Sequence, residues 1–182
     1  QKLVHSFILY PFAFLLCIRR TVFSGLLLAI LYLLCTASFA AENTFDDALA
    51  VYERGDYVQA VKRFRQLADQ GHQWAQRRVG LMYAEGKGVP QDYQEAVKWY
   101  RLAAAQGYAP AEYNLGVAYE KGKGVPQDYR EAVKWYGLAA AQGNVPAQYS
   151  LGLAYEKGQG VPQDYQEAIK WYRIAATRED EW

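Results

Sequence analysis

Gly86-Lys-Gly-Val-Pro-Gln-Asp-Tyr93 returns as Gly122-Lys-Gly-Val-Pro-Gln-Asp-Tyr129 and again as Gly158-Gln-Gly-Val-Pro-Gln-Asp-Tyr165, each copy 36 residues after the last. Trp99, Trp135 and Trp171 keep the same spacing, as do Gly80, Gly116 and Gly152. A fixed period of this length marks a helical repeat array. The full units span residues 72–107, 108–143 and 144–179, preceded by a shorter unit over residues 41–71 and followed by a tail, 180–182. In the short unit the turn is Gly55-Asp56-Tyr57, five residues shorter than its later counterparts.

Each unit reads as two helices. In the middle unit, helix A starts near Pro110, which suits a first turn because its missing N–H would be unpaired there anyway. Ala111, Leu115, Ala118 and Tyr119 share one apolar face, and Gly122 supplies a left-handed cap. Asp128 is placed to cap helix B by accepting from the Glu131 N–H, with Glu131 reaching back as in a capping box. Helix B presents Ala132, Val133, Trp135, Tyr136, Ala139 and Ala140 to the core and stops at Gly143. Glycine in mid-helix costs about 1 kcal/mol against alanine. Its return at Gly80, Gly116 and Gly152 predicts a close approach with no room for a Cβ. One helix pair cannot bury its own apolar faces, whereas stacked pairs can. The predicted fold is all-α, an α/α superhelical solenoid of helix-turn-helix repeats.

Residues 1–40 are a different material. They carry Lys2, Arg19 and Arg20, no acidic residue, and both cysteines, Cys17 and Cys35. Residues 22–41 are uncharged, and Ser38-Phe39-Ala40 places small residues at −3 and −1 of a cut after Ala40. This pattern predicts a secretory signal peptide. The alternative is a retained membrane leader, since about 20 apolar residues can span a bilayer. Either way the repeats are expected outside the cytoplasm, periplasmic or secreted, with any membrane attachment through the leader alone. The other 142 residues hold 17 basic and 19 acidic side chains and no cysteine. Disulfide scaffolds and cysteine zinc sites are thereby excluded from that part. A near-neutral balance gives no field for gripping nucleic acid.

The pattern Ala111, Leu115-Gly116, Tyr119, Gly122, Gly124-Val125, Asp128, Ala132, Trp135-Tyr136, Ala139-Ala140 and Gly143 resembles a Sel-1-like repeat, a longer-looped relative of the tetratricopeptide repeat. The resemblance covers residues 72–179, while the unit around Ala50–Tyr57 with Ala60 resembles a plain tetratricopeptide repeat. It departs at Val79, where leucine is usual, and at the charged end Thr177–Trp182. The resemblance implies a protein-protein interaction scaffold or adaptor that holds a peptide or partner protein in its concave groove. It also carries a rival: some secreted relatives are described as penicillin-binding proteins or weak β-lactamases. Those look cysteine-rich, and a serine β-lactamase needs Ser-x-x-Lys. None of Ser6, Ser24, Ser38 and Ser150 has lysine three residues on. An enzyme is therefore not expected, and neither is a cofactor or metal: His72 is the only histidine after the leader, with no ligand cluster beside it. A third class is a membrane-anchored envelope assembly protein.

On a helical wheel the face opposite the core holds Tyr113, Val117 and Glu120, and the tetratricopeptide pattern places these with Lys121 on the concave wall. Carried to the other units, the expected wall is Arg77, Leu81 and Glu85, then Tyr113, Val117, Glu120 and Lys121, then Tyr149, Leu153, Glu156 and Lys157. An aromatic and aliphatic floor edged with both charges suits a peptide or a partner helix. The alternative for the tyrosines is packing between adjacent A helices. Glu95, Glu131 and Glu167 stand three residues before Lys98, Lys134 and Lys170 and read as solvated pairs.

Overall fold

The computed structural model describes residues 44–177. The predicted leader, its cleavage after Ala40 and the tail 180–182 lie outside the described residues. Those residues form eight helices and no strand: α1 (Phe45–Glu53), α2 (Tyr57–Asp69), α3 (Gln73–Glu85), α4 (Tyr93–Ala104), α5 (Ala109–Lys121), α6 (Tyr129–Ala141), α7 (Val145–Lys157) and α8 (Tyr165–Thr177). Each packs against the helix before and after it in the chain, so consecutive pairs stack as an all-α solenoid. The A helices of the full units are α3, α5 and α7; the B helices are α4, α6 and α8.

Local chemistry sets the helix ends. Gly122 caps α5 at φ +62, a conformation that costs other residues a Cβ clash. Asp128 accepts from the backbone N–H groups of Arg130 and Glu131 at 2.9 and 3.1 Å, and Asp92 and Asp164 do the same one unit away. The reciprocal half of the expected capping box is absent. The Asp128 N–H donates to the Tyr119 carbonyl at 3.0 Å, and Glu131 instead pairs with Lys134. The long loop has already satisfied the donor that Glu131 was to reach.

The core is built from small residues and tyrosine. Ala111, Leu115, Ala118, Ala132, Tyr136, Ala139 and Ala140 are buried. Trp99, Tyr100 and Tyr136 are deep, while Trp135, Trp171 and Tyr172 are half-buried. The three mid-helix glycines do mark close approaches. A Cβ on Gly80, Gly116 or Gly152 would lie 2.5, 2.4 or 2.4 Å from the ring of Tyr100, Tyr136 or Tyr172.

The two glycines of each long loop divide the work. The first, Gly122, ends its helix. The second, Gly124, sits at φ +77 against the start of the previous B helix, where a Cβ would fall 2.1 Å from the Tyr93 carbonyl oxygen. Gly88 and Gly160 lie likewise against Tyr57 and Tyr129. Each long loop is therefore a seat for its own unit on the one before.

Candidate functional site

Three depressions lie along the A helices. The first, about 240 Å³, opens between α3, α4 and α5. Leu81 and Ala84 of α3, Val97 and Tyr100 of α4 and Val117 of α5 form its apolar lining, with Glu85, Lys121 and Lys123 among the residues around them. The second, about 40 Å³, repeats it one unit on and is lined by Glu120, Tyr136, Ser150, Leu153 and Lys157 among others. The third, about 700 Å³, is walled by α7 and α8 alone, with Tyr149, Leu153, Glu156 and Tyr172.

The expected wall residues are thus distributed over separate grooves. Leu81, Glu85, Val117 and Lys121 meet in the first. Glu120, Leu153 and Lys157 meet in the second, and Tyr149, Leu153 and Glu156 in the third. Arg77 and Tyr113 line none of the three. Arg77 is half-buried and donates from Nε to Asn114 Oδ1 at 3.2 Å; burial pulls its pKa down. Tyr113 is half-buried with its ring 5.8 Å from that of Tyr136, so it packs between helices. Tyr149 is 54% exposed, its ring 5.3 Å from Tyr172.

Helix B contributes residues that the wheel of helix A could not reveal: Tyr93, Val97 and Tyr100. Burial raises the Tyr100 and Tyr136 hydroxyls well above their usual range, so both stay protonated. Tyr136 donates to Glu120 Oε2 at 2.5 Å and Tyr172 to Glu156 Oε2 at 2.6 Å. Ala84 stands at the same place in the first full unit, so that position offers the Tyr100 hydroxyl no carboxylate. Glu85 is held by Lys87 at 2.8 Å, which raises the lysine pKa, while Lys87 also donates to the Tyr52 hydroxyl. Lys121 and Lys123 make no ion pair among the described residues; the Lys123 ammonium lies 4.9 Å from the centre of the Tyr93 ring. Side-chain differences between units, readable from the repeats themselves, were the signal for this asymmetry.

The Glu95–Lys98, Glu131–Lys134 and Glu167–Lys170 pairs form on the surface as expected, with lysines 64–69% exposed. Pairs so exposed contribute little to stability. Among the described residues, no three or more His, Cys, Asp or Glu are grouped to hold a metal ion, and no helix is long and apolar enough to cross a membrane.

Stacked helix pairs carrying a row of grooves define a helical-repeat solenoid, a class that acts through the surfaces it presents. The Sel1 repeat family model matches residues 48–72, 75–108, 109–144 and 145–180, and the chain belongs to the Sel1 repeat family. The match takes in the leading unit with its short turn. Sel1 repeat proteins are generally non-enzymatic helical scaffolds that mediate protein-protein interactions. Among solved structures, the chain is similar to c5321, a protective antigen present in uropathogenic Escherichia coli strains and displaying an SLR fold, at 42% identity and TM-score 0.71 over 78% of this chain. It is similar to a Sel1 repeat protein from Oxalobacter formigenes at 37% identity and TM-score 0.70 over 74% of this chain. The matched regions are 32% and 55% of those two proteins. A comparison with curated protein sequences returned no match.

Proposed function

We propose that this chain is an exported adaptor that holds a peptide or a segment of a partner protein in the grooves of its A helices. The observation that carries the reading is the first groove, an apolar depression formed by three helices and edged by lysine and glutamate side chains. At about 240 Å³ it is smaller than the roughly 300–1,000 Å³ typical of small-molecule pockets and suits one anchoring side chain of a longer ligand. Export rests on the basic, apolar and small-residue pattern of residues 1–40. That the similar Escherichia coli protein is an antigen is in keeping with it.

The test is affinity capture from envelope extract with the parent chain and with Leu81→Asp/Val117→Asp. Both residues are half-buried in the groove, so circular dichroism must first show that helix content is kept. Partners bound by the parent and released by the folded variant support the reading. Equal capture by both would reject the first groove as the binding surface. Fractionation of the full chain between periplasm and membrane tests the location.

A further inference from the structure

We propose that, of the two joints between full repeats, docking uses the first, which takes an apolar side chain with an aspartate or glutamate beside it, and that Ala84 is the residue that opens this joint. The inference rests on the adaptor reading above and adds where and what it binds.

The array offers an internal comparison. The first and second grooves are walled by equivalent positions 36 residues apart, yet one holds about 240 Å³ and the other about 40 Å³. Where the first has Ala84, the second has Glu120, whose carboxylate reaches in to accept from Tyr136. Leu153 also replaces Val117 and takes more room. The second groove is thus narrowed by its own chain, with the Glu120 carboxylate held on the Tyr136 hydroxyl. In the first, alanine leaves the floor of Leu81, Val97 and Val117 open.

The charge around the floor is also one-sided. Glu85 is neutralised by Lys87 at 2.8 Å, whereas Lys121 and Lys123 have no acidic partner among the described residues. An apolar floor beside two uncompensated ammonium groups favours an apolar anchor flanked by negative charge. Lysine is a flexible point charge on a long stem, so it can follow a carboxylate carried on a side chain next to the apolar anchor.

The full chain would be applied to an array of short, C-terminally amidated peptides with leucine fixed at the centre and randomised neighbours. Amidation removes the terminal carboxylate as a competing source of charge. Aspartate and glutamate should be enriched beside the leucine, and a fluorescent Leu-Glu peptide should bind about tenfold tighter than its Leu-Lys counterpart, the gap shrinking in high salt. Ala84→Glu should abolish this binding. The fold already accepts glutamate at Glu120 and Glu156, so the variant should keep its helix content. Lys121→Ala/Lys123→Ala should keep the leucine requirement and lose the acidic preference. Unchanged binding by Ala84→Glu, or depletion of acidic neighbours, overturns the proposal. If Ala84→Glu binds normally while Leu153→Asp does not, the adaptor reading stands and its location here is wrong. If the parent binds no peptide on the array, both readings fall.

Discussion

The ring of Tyr136 lies against the backbone of Gly116, so that a methyl group built on the glycine would sit 2.4 Å from ring carbons Cδ1 and Cε1. The tyrosine cannot swing away easily. It is 2% exposed, and its hydroxyl is tied to Glu120. Gly116→Ala would raise helix propensity by about 1 kcal/mol in an open helix. Here overpacking should prevail and destabilise the chain by about 1–3 kcal/mol, more for Gly116→Val. Urea denaturation of Gly116→Ala alone and combined with Tyr136→Leu checks the cause: the second change should relieve part of the loss.

Gly124 and Gly107 separate conformational cost from contact cost. Both have positive φ, +77 and +75, but a Cβ on Gly107 meets nothing within 4 Å while one on Gly124 meets the Tyr93 carbonyl at 2.1 Å. Gly107→Ala should cost about 1–2 kcal/mol, the left-handed penalty alone. Gly124→Ala should cost clearly more, because backbone on the preceding unit must move. Equal losses in thermal or chemical unfolding would contradict the seating role of the loop.

Glu112 should make stability depend on pH. The equivalent buried residues Gln76 and Gln148 donate from Nε2 to the carbonyls of Ala68 and Ala140 at 3.1 and 3.2 Å. Glu112 stands eight residues after Ala104, as those two do after their acceptors, and receives only the Gln142 amide at 2.8 Å. Burial pushes its carboxyl above the usual carboxylate range, more than the Gln142 bond lowers it. The folded state therefore holds the proton more tightly than the unfolded one. The stability this contributes is complete below the usual range and is lost as pH rises through it toward the raised folded value. Glu112→Gln should stabilise the chain near neutral pH by about 1 kcal/mol and show no advantage at about pH 4. A variant no more stable than the parent at neutral pH would rule this out.

Tyr113 and Tyr149 occupy the same repeat position and should answer mutation differently. Tyr113→Ala removes a half-buried ring packed on Tyr136 and should destabilise by about 1–3 kcal/mol. Tyr149→Ala truncates a residue that is 54% exposed and should cost about 1 kcal/mol or less. Melting temperatures of the two single variants decide this. The reverse order would mean that Tyr149 is the packing residue.

The repeat itself determined most of the architecture. Period, paired helices, aspartate caps, glycine stops and the crowded mid-helix glycines all follow from short-range chemistry copied three times, and such rules act within a turn or two of the residue that carries them. The wheel of helix A named Leu81, Glu85, Val117 and Lys121, which share one groove, but also Arg77 and Tyr113, which line none of the three, because a wheel of one helix carries no information about the helix packed beside it. What only the tertiary structure decided is how neighbouring units meet. Gly124 reads only as part of the repeat pattern until the Tyr93 carbonyl is found beside it. Glu131 reads as half of a capping box until the Tyr119 carbonyl takes the donor it would have met. Glu120 reads as a wall residue and its counterpart Ala84 goes unremarked until α4 and α6 place Tyr100 and Tyr136 behind them, leaving one groove open and the other narrowed. Local propensity depends on the residue and its neighbours in sequence, whereas the space between two helices depends on side chains from both, brought together only when the units stack.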